Sequence, residues 1–229
     1  MKALLSAASA AIVLCGSPAH AQNPPAEWDG LVRVESRHFD AVYLAPGADF
    51  GAYTKVMLDP TEVSFKRNWL RDYNRDARGL SNRMSEDEAR EILDAAQSGF
   101  QDVFREVYAQ RGIQVVNEPG PDVLRLRTAV ANLDVAAPDQ MTPGRTSTYA
   151  REAGEATIVL EVRDSMSGAI LGRGVDRREA GENSFVLRRT RVTNRADFQR
   201  MFRSWAELSA QALERLRTTP PPAAAAGQP

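Results

Sequence analysis

Between Ser85 and Gly112 the apolar residues repeat on a helical period, and this stretch limits the fold more than any other. Ala89, Ile92, Leu93, Ala96, Phe100, Val103, Phe104, Val107 and Tyr108 recur at spacings of three and four. That rhythm puts them on one stripe of an amphipathic α-helix. Ser85 followed by Glu88 is a capping box: the hydroxyl accepts the amide of the third helical residue, and the carboxylate reaches back to the cap. Glu86, Asp87 and Glu88 fill the first turn, where the helix dipole favours acids, and Gly112 stands where a helix stops. A helix with one apolar face needs a second layer to cover that face.

The flanking segments change to a period of two. Residues 53–58, 62–65 and 113–116 read as short strands, residues 39–43 as a short apolar stretch, and residues 123–135 as a longer strand. In the last of these, Arg125 and Arg127 fall on one face while Leu124, Leu126 and Val130 fall on the other. Residues 156–163 alternate Ile158, Leu160 and Val162 against Thr157, Val159 and Glu161, and residues 169–175 return after a turn at 164–168, which makes a hairpin. Residues 184–192 suggest a further strand carrying Arg188, Arg189 and Arg191. Asn194 is placed to cap a last helix, whose stripe is Phe198, Met201, Phe202, Trp205, Leu208, Ala212, Leu213 and Leu216. Residues 68–83 lack periodicity and read as a loop or broken helix; residues 136–154 read as a long surface loop. The expected fold is α+β, a mainly antiparallel sheet with two amphipathic helices packed on one face.

The first 21 residues read as an address. Met1-Lys2 is the charged start, residues 3–15 the apolar centre, and Ala19-His20-Ala21 the cleavage signal, so cleavage is expected between Ala21 and Gln22. Residues 22–27 then form a flexible leader, 28–217 a single α+β domain, and 218–229 a disordered Pro/Ala-rich tail. No later segment reaches 18 uninterrupted apolar residues, so no transmembrane span is expected in the mature chain. Cys15 could instead be an acylated lipoprotein cysteine, although Leu14 before it fits poorly a peptidase that wants Gly, Ala or Ser.

Cleavage removes Cys15 and His20, leaving His38 as the one histidine and no cysteine. Cysteine nucleophiles, thiolate zinc sites and disulfide frameworks are thereby excluded for the mature form. No G-x-S-x-G elbow and no P-loop occurs, and Gly168, Gly172 and Gly174 read as turn and strand glycines rather than a dinucleotide site. No cofactor and no resident metal are expected, and the chain is expected not to be an enzyme. The rival is a carboxylate- or cation-dependent hydrolase. It would need at least two of the strand-end residues Asp122, Asp134, Asp164 and Asp176 to converge in a concave pocket.

The main charge asymmetry is residues 173–203, which hold nine arginines against four carboxylates, while the whole chain has a formal net charge of −1. Arg125 and Arg127, with Arg188, Arg189 and Arg191, are the candidate binding residues, for an acidic envelope protein or an anionic lipid surface. Nucleic acid is not expected, because no aromatics interleave the arginines.

Several stretches together carry a family resemblance: Trp28-Asp29-Gly30-Leu31, Phe39-Asp40-Ala41-Val42-Tyr43, residues 53–60, residues 121–127, and the hairpin 156–178 with Arg163-Asp164-Ser165 and Gly168. In this order they resemble the exported proteins and lipoproteins of domain-of-unknown-function family 3313, over most of residues 28–216. The resemblance implies a location in the Gram-negative envelope and brings no activity or catalytic residues. Many members look like lipoproteins, a pattern from which the environment of Cys15 departs. The expected protein is therefore a non-catalytic periplasmic or secreted binding or scaffolding module, with outer-membrane attachment through Cys15 as the alternative.

Overall fold

The computed structural model describes residues 24–77, 83–135, 148–150, 154–181, 187–189 and 191–218, without the side chains of 148–150, 187–189 and 191–193. The signal and its cleavage site Ala21-Gln22, Cys15 and the tail beyond Thr218 lie outside the described residues. The elements run β1 (Glu27–Trp28), β2 (Leu31–Val34), β3 (Ala41–Leu44), β4 (Lys55–Leu58), β5 (Glu62–Phe65), α1 (Trp69–Asp76), α2 (Glu86–Gln110), β6 (Gln114–Val116) and β7 (Val123–Val135). Then come β8 (Thr148–Ala150), β9 (Gly154–Asp164), β10 (Ile170–Ala180), β11 (Leu187–Arg189) and α3 (Arg191–Thr218).

The α+β class stands, but the sheet is mixed rather than mainly antiparallel. Nine strands lie in the order β1-β2-β3-β10-β9-β7-β4-β6, with β5 also pairing with β7. Hairpin links make β1/β2 and β9/β10 antiparallel. The pairs β4/β6, β4/β7 and β5/β7 are parallel. The cause is α2, which lies in the chain between β4–β5 and β6–β7. A helix between two neighbouring strands is a crossover, and a crossover brings the second strand back parallel to the first.

The helix α2 obeys its capping signal, with Ser85 Oγ accepting from the Glu88 amide at 3.2 Å and Glu88 Oε2 accepting from the Ser85 amide at 2.8 Å. It ends before Gly112, whose φ of 71° is the left-handed conformation that glycine adopts without a Cβ penalty. The final helix starts at Arg191 rather than at a cap on Asn194. Phe100 of α2 meets Phe202 of α3 edge-on at 5.3 Å, and the Tyr108 hydroxyl lies 3.1 Å from Ser209 Oγ. Both helices pack on the face of the sheet that presents Leu124, Leu126, Val130, Ile158 and Leu160, all in one buried cluster. A buried pin joins α3 to the sheet: Trp205 Nε1 donates to Asp176 Oδ2 at 2.7 Å, and Arg178 Nε donates to the same oxygen at 2.6 Å.

There are three α-helices among the described residues, not two. The additional one, α1, falls where a loop or broken helix is expected. Its stabilising stripe is aromatic: Phe65 stacks on Trp69 at 4.0 Å, and Trp69 on Tyr73 at 5.7 Å. Asn74 ties α1 to Met84, donating to the Met84 carbonyl and accepting from the Met84 amide. Within the expected surface loop 136–154, β8 pairs antiparallel with β11; its remaining residues up to 153 lie outside the described set.

Arg217, near the end of α3, has Nε and Nη2 buried with no hydrogen-bond acceptor among the described residues. Burial holds its basicity below the ordinary arginine value, which nearby Tyr108 and Glu214 only partly offset. Desolvated N–H groups without acceptors cost stability. Arg217→Met, which keeps the stem and removes the charge, is therefore expected to raise stability by about 1 kcal/mol, read as a higher urea midpoint.

Candidate functional site: a charged row on the open face of the sheet

Alternation along β7, β9, β10 and β3 gives the sheet a second face, open in the sense that α2 and α3 do not cover it; Tyr43, Ala129 and Val159 on it are buried, while Arg125 and Arg163 reach solvent. The register sets Arg127 opposite Glu161, Glu161 opposite Arg173, and Arg173 opposite Tyr43. One step along, Met57, Arg125 and Arg163 form a second row. Leu124, Leu126, Leu160 and Val162, which alternate with these residues, belong to the helix-covered core.

Glu161 is the hub of the first row, and its side chain is only 4% exposed. Its Oε2 accepts from Arg173 Nη2 at 2.7 Å, and its Oε1 from Arg163 Nε at 2.6 Å. Arg127 Nη1 lies 4.0 Å from Oε1. Burial pushes the Glu161 carboxyl up, but the bonds to Arg173 and Arg163 outweigh it and hold the group below its ordinary range.

Arg173, whose side chain is 8% exposed, is closed over from the amino-terminal side. Asp29 and Gly30 both have positive φ, 52° and 78°, which gives the β1/β2 hairpin a two-residue turn of the primed type. That turn carries Asp29 Oδ2 to 2.8 Å from Arg173 Nη1 and lays the Trp28 ring 4.1 Å over the guanidinium. Trp28 also meets Tyr43 edge-on at 5.6 Å. The buried cation thus has two carboxylates and a π face.

The other three arginines are more exposed than Arg173. Among the described residues Arg125 gives only its Nε, to both oxygens of Asp59 at 2.9 Å, and its side chain is 43% exposed. Arg127 Nε lies 3.7 Å from the same Asp59, and its Nη2 3.8 Å from Glu62. Arg163 uses Nε on Glu161 and Nη1 on the Gly168 carbonyl at 2.7 Å. Among the described residues, Arg125, Arg127, Arg163 and Arg173 stand against Asp29, Asp59, Glu62 and Glu161. The network is electrically balanced, so it recognises by direction more than by long-range attraction.

Of the candidate binding residues, Arg125 and Arg127 come together here, joined by Asp59. Arg188 and Arg189 lie on β11 and Arg191 at the start of α3, with their side chains outside the described residues. Glu161, Arg163, Arg173 and Asp59 complete the site, beyond the residues that the charge pattern of the sequence singles out. Glu161 was legible as belonging to the polar side of its strand, and Arg163 continues that alternation.

The four strand-end aspartates serve different partners. Asp122 accepts from Thr54 Oγ1 at 2.5 Å and pairs with Lys55 at 3.1 Å. Asp164 accepts from Ser167 Oγ at 2.6 Å and from the Tyr53 hydroxyl at 2.9 Å. Asp134 pairs with Lys66, and Asp176 lies under α3. The bonds from Thr54 to Asp122 and from Ser167 to Asp164 hold both carboxyls below their usual range. The Tyr53 hydroxyl is pushed up to about 12 by burial and by Asp164. Among the described residues no group of three or more His, Cys, Asp or Glu is placed to hold a metal ion. Gly168 sits in the β9/β10 turn with φ 74°, and Gly172 and Gly174 sit inside β10.

A family model described as "Protein of unknown function (DUF3313)" matches residues 21–209. No curated protein matches the chain. Among solved structures, the PelC dodecamer from Paraburkholderia phytofirmans is similar, with 12% identity, a TM-score of 0.34, and 74% of this chain and 94% of that chain covered. A Xanthomonas campestris protein of the DUF330 family has 11% identity and a TM-score of 0.39, with 76% and 89% covered. A Caulobacter crescentus protein provisionally assigned as a lipoprotein has 11% identity and a TM-score of 0.30, with 74% and 90% covered. At these values the likeness carries nothing about activity. No helix among the described residues is long and apolar enough to cross a membrane.

Proposed function

The chain belongs to the DUF3313 family of proteins of unknown function, and from that premise we propose that it is an exported, non-catalytic binding or scaffolding module of the bacterial envelope. Residues 28–217 act as one α+β unit, and the open face of the sheet meets a protein partner. One observation supports this most: the helices cover one face, while the other presents arginines whose Nε atoms are already held by Asp59 and Glu161. Side chains fixed in this way lose little freedom on binding, which favours a specific contact. The export pattern in residues 1–21 supports the location. Mass spectrometry of the mature amino terminus separates the two forms of export. Gln22 means a released periplasmic protein, and acylated Cys15 means an outer-membrane lipoprotein.

The contact surface is tested by charge reversal. Arg125→Glu is expected to lower retention of the partner at least tenfold in a quantitative envelope pull-down. Arg90→Glu, on the exposed side of α2, is expected to leave retention unchanged. Equal retention by both variants would remove the open face as the contact surface.

A further inference from the structure

Arg125 and Arg163 are direct cross-strand partners in the antiparallel pair β7/β9. Like charges in that position sit about 5 Å apart at the backbone and repel. A sheet tolerates such a pair when other charges compensate it, and here the compensation has a particular shape. Asp59 takes only Nε of Arg125; Glu161 takes only Nε of Arg163, and the Gly168 carbonyl takes Nη1. Among the described residues, neither Nη group of Arg125 nor Nη2 of Arg163 has an acceptor, and both side chains reach solvent at 43% and 25% exposure. Two guanidinium groups on directly paired strand positions are therefore each held at Nε, and each keeps N–H groups without an acceptor among the described residues.

Resting on the open-face reading above, we propose that Arg125 and Arg163 form a two-arginine clamp for a side-chain carboxylate of an acidic protein segment. A carboxylate offers two oxygens with about four acceptor positions and matches paired guanidinium forks. Its single charge also suits the surroundings. Four arginines are balanced by four acids in the network, and Asp59 and Glu62 stand beside the clamp. Adhesion to an anionic bilayer relies on an excess of several uncompensated cations. Among the described residues this network has no such excess, so the protein carboxylate is the better fit.

The test is side-chain NMR on the full mature protein, following the Nε–Hε signals of Arg125 and Arg163. The probe is N-acetyl-glutamate N-methylamide; its controls are the neutral glutamine analogue, ethyl phosphate and phosphatidylglycerol vesicles. The glutamate probe is expected to shift both signals and the glutamine analogue neither. Arg125→Lys and Arg163→Lys keep the charge but lose the fork, and each is expected to weaken the probe at least fivefold with an unchanged Tm. The clamp is overturned if the glutamate probe moves neither signal, if both lysine variants bind as the wild type does, or if ethyl phosphate or vesicles bind more tightly than the glutamate probe. Photo-crosslinking from position 57 keeps this result apart from the broader reading. A partner that still crosslinks there in the double lysine variant leaves the open face standing and removes the clamp. Absence of a crosslink in the wild type removes the open face itself.

Discussion

Glu161→Gln is expected to lower the stability of the protein by about 3 kcal/mol at neutral pH, the cost typical of breaking a buried ion pair by removing one partner. The variant keeps the size of the side chain and removes its charge. Arg173, almost without solvent, would keep Asp29 as its one carboxylate among the described residues, itself 56% exposed, beside the Trp28 ring. Arg163 and Arg127 would lose their shared anion as well. The same bonds predict a pH signature. The folded state holds the Glu161 carboxyl below its ordinary range, so its stabilisation is fully present above the unfolded-state pKa of about 4.3. It is lost as the pH falls from there through the folded-state value. The gap between the urea midpoints of wild type and Glu161→Gln should therefore be wide at pH 7 and close steadily below about pH 4.3. A gap independent of pH would mean that charge is not what Glu161 contributes.

Gly154→Ala is expected to cost about 3 kcal/mol or more, combining a backbone region almost reserved for glycine with a direct steric conflict. Gly154 opens β9 with φ 143°, and a Cβ there would lie 1.9 Å from the Asp134 carbonyl oxygen. The partner backbone cannot simply yield, because β7 is already irregular at this point. Its register with β9 shifts between Ala131 and Asp134, and Asn132 has a φ of 53°. Gly99→Ala is the control. Gly99 lies inside α2 with open space around the added atom, so the substitution should stabilise the helix by about 0.5–1 kcal/mol. Urea unfolding of both variants checks the pair, and the two shifts should have opposite signs.

The elements most legible in the sequence were those with strong periods or local chemistry. β7 occupies residues 123–135 as its alternation indicates, and α2 begins at the capping box and ends before Gly112. The β1/β2 hairpin is not legible although Asp29-Gly30 is a turn signal, because strands of two and four residues carry almost no period. The α1 helix was missed because its apolar stripe is one aromatic per turn among arginines and aspartates. The parallel pairs were missed for a different reason. Alternation tells which face a residue takes, but not which strand lies beside it.

That limit also explains the site. Arg125 and Arg127 were assigned to the correct side of β7, opposite Leu124 and Leu126. Their carboxylate, Asp59, lies 66 residues before Arg125 and arrives only because α2 returns the chain parallel to β4. Glu161 was on the polar side of its own strand, but its meeting with Arg127 and Arg173 depends on β7 and β10 flanking β9. The compensation of charge, which turns a patch of arginines into an oriented set, is a property of adjacency.

The most direct measurement is a crosslinking footprint of the protein at work. A photoreactive amino acid is placed at Met57, beside Arg125 on the open face, or at Arg105, on the exposed side of α2, and crosslinks are read in the intact envelope by mass spectrometry. A discrete partner adduct at position 57, absent at position 105 and lost in Arg125→Glu, is the predicted result. An adduct at position 105 with none at position 57 would contradict the assignment of the open face as the binding surface.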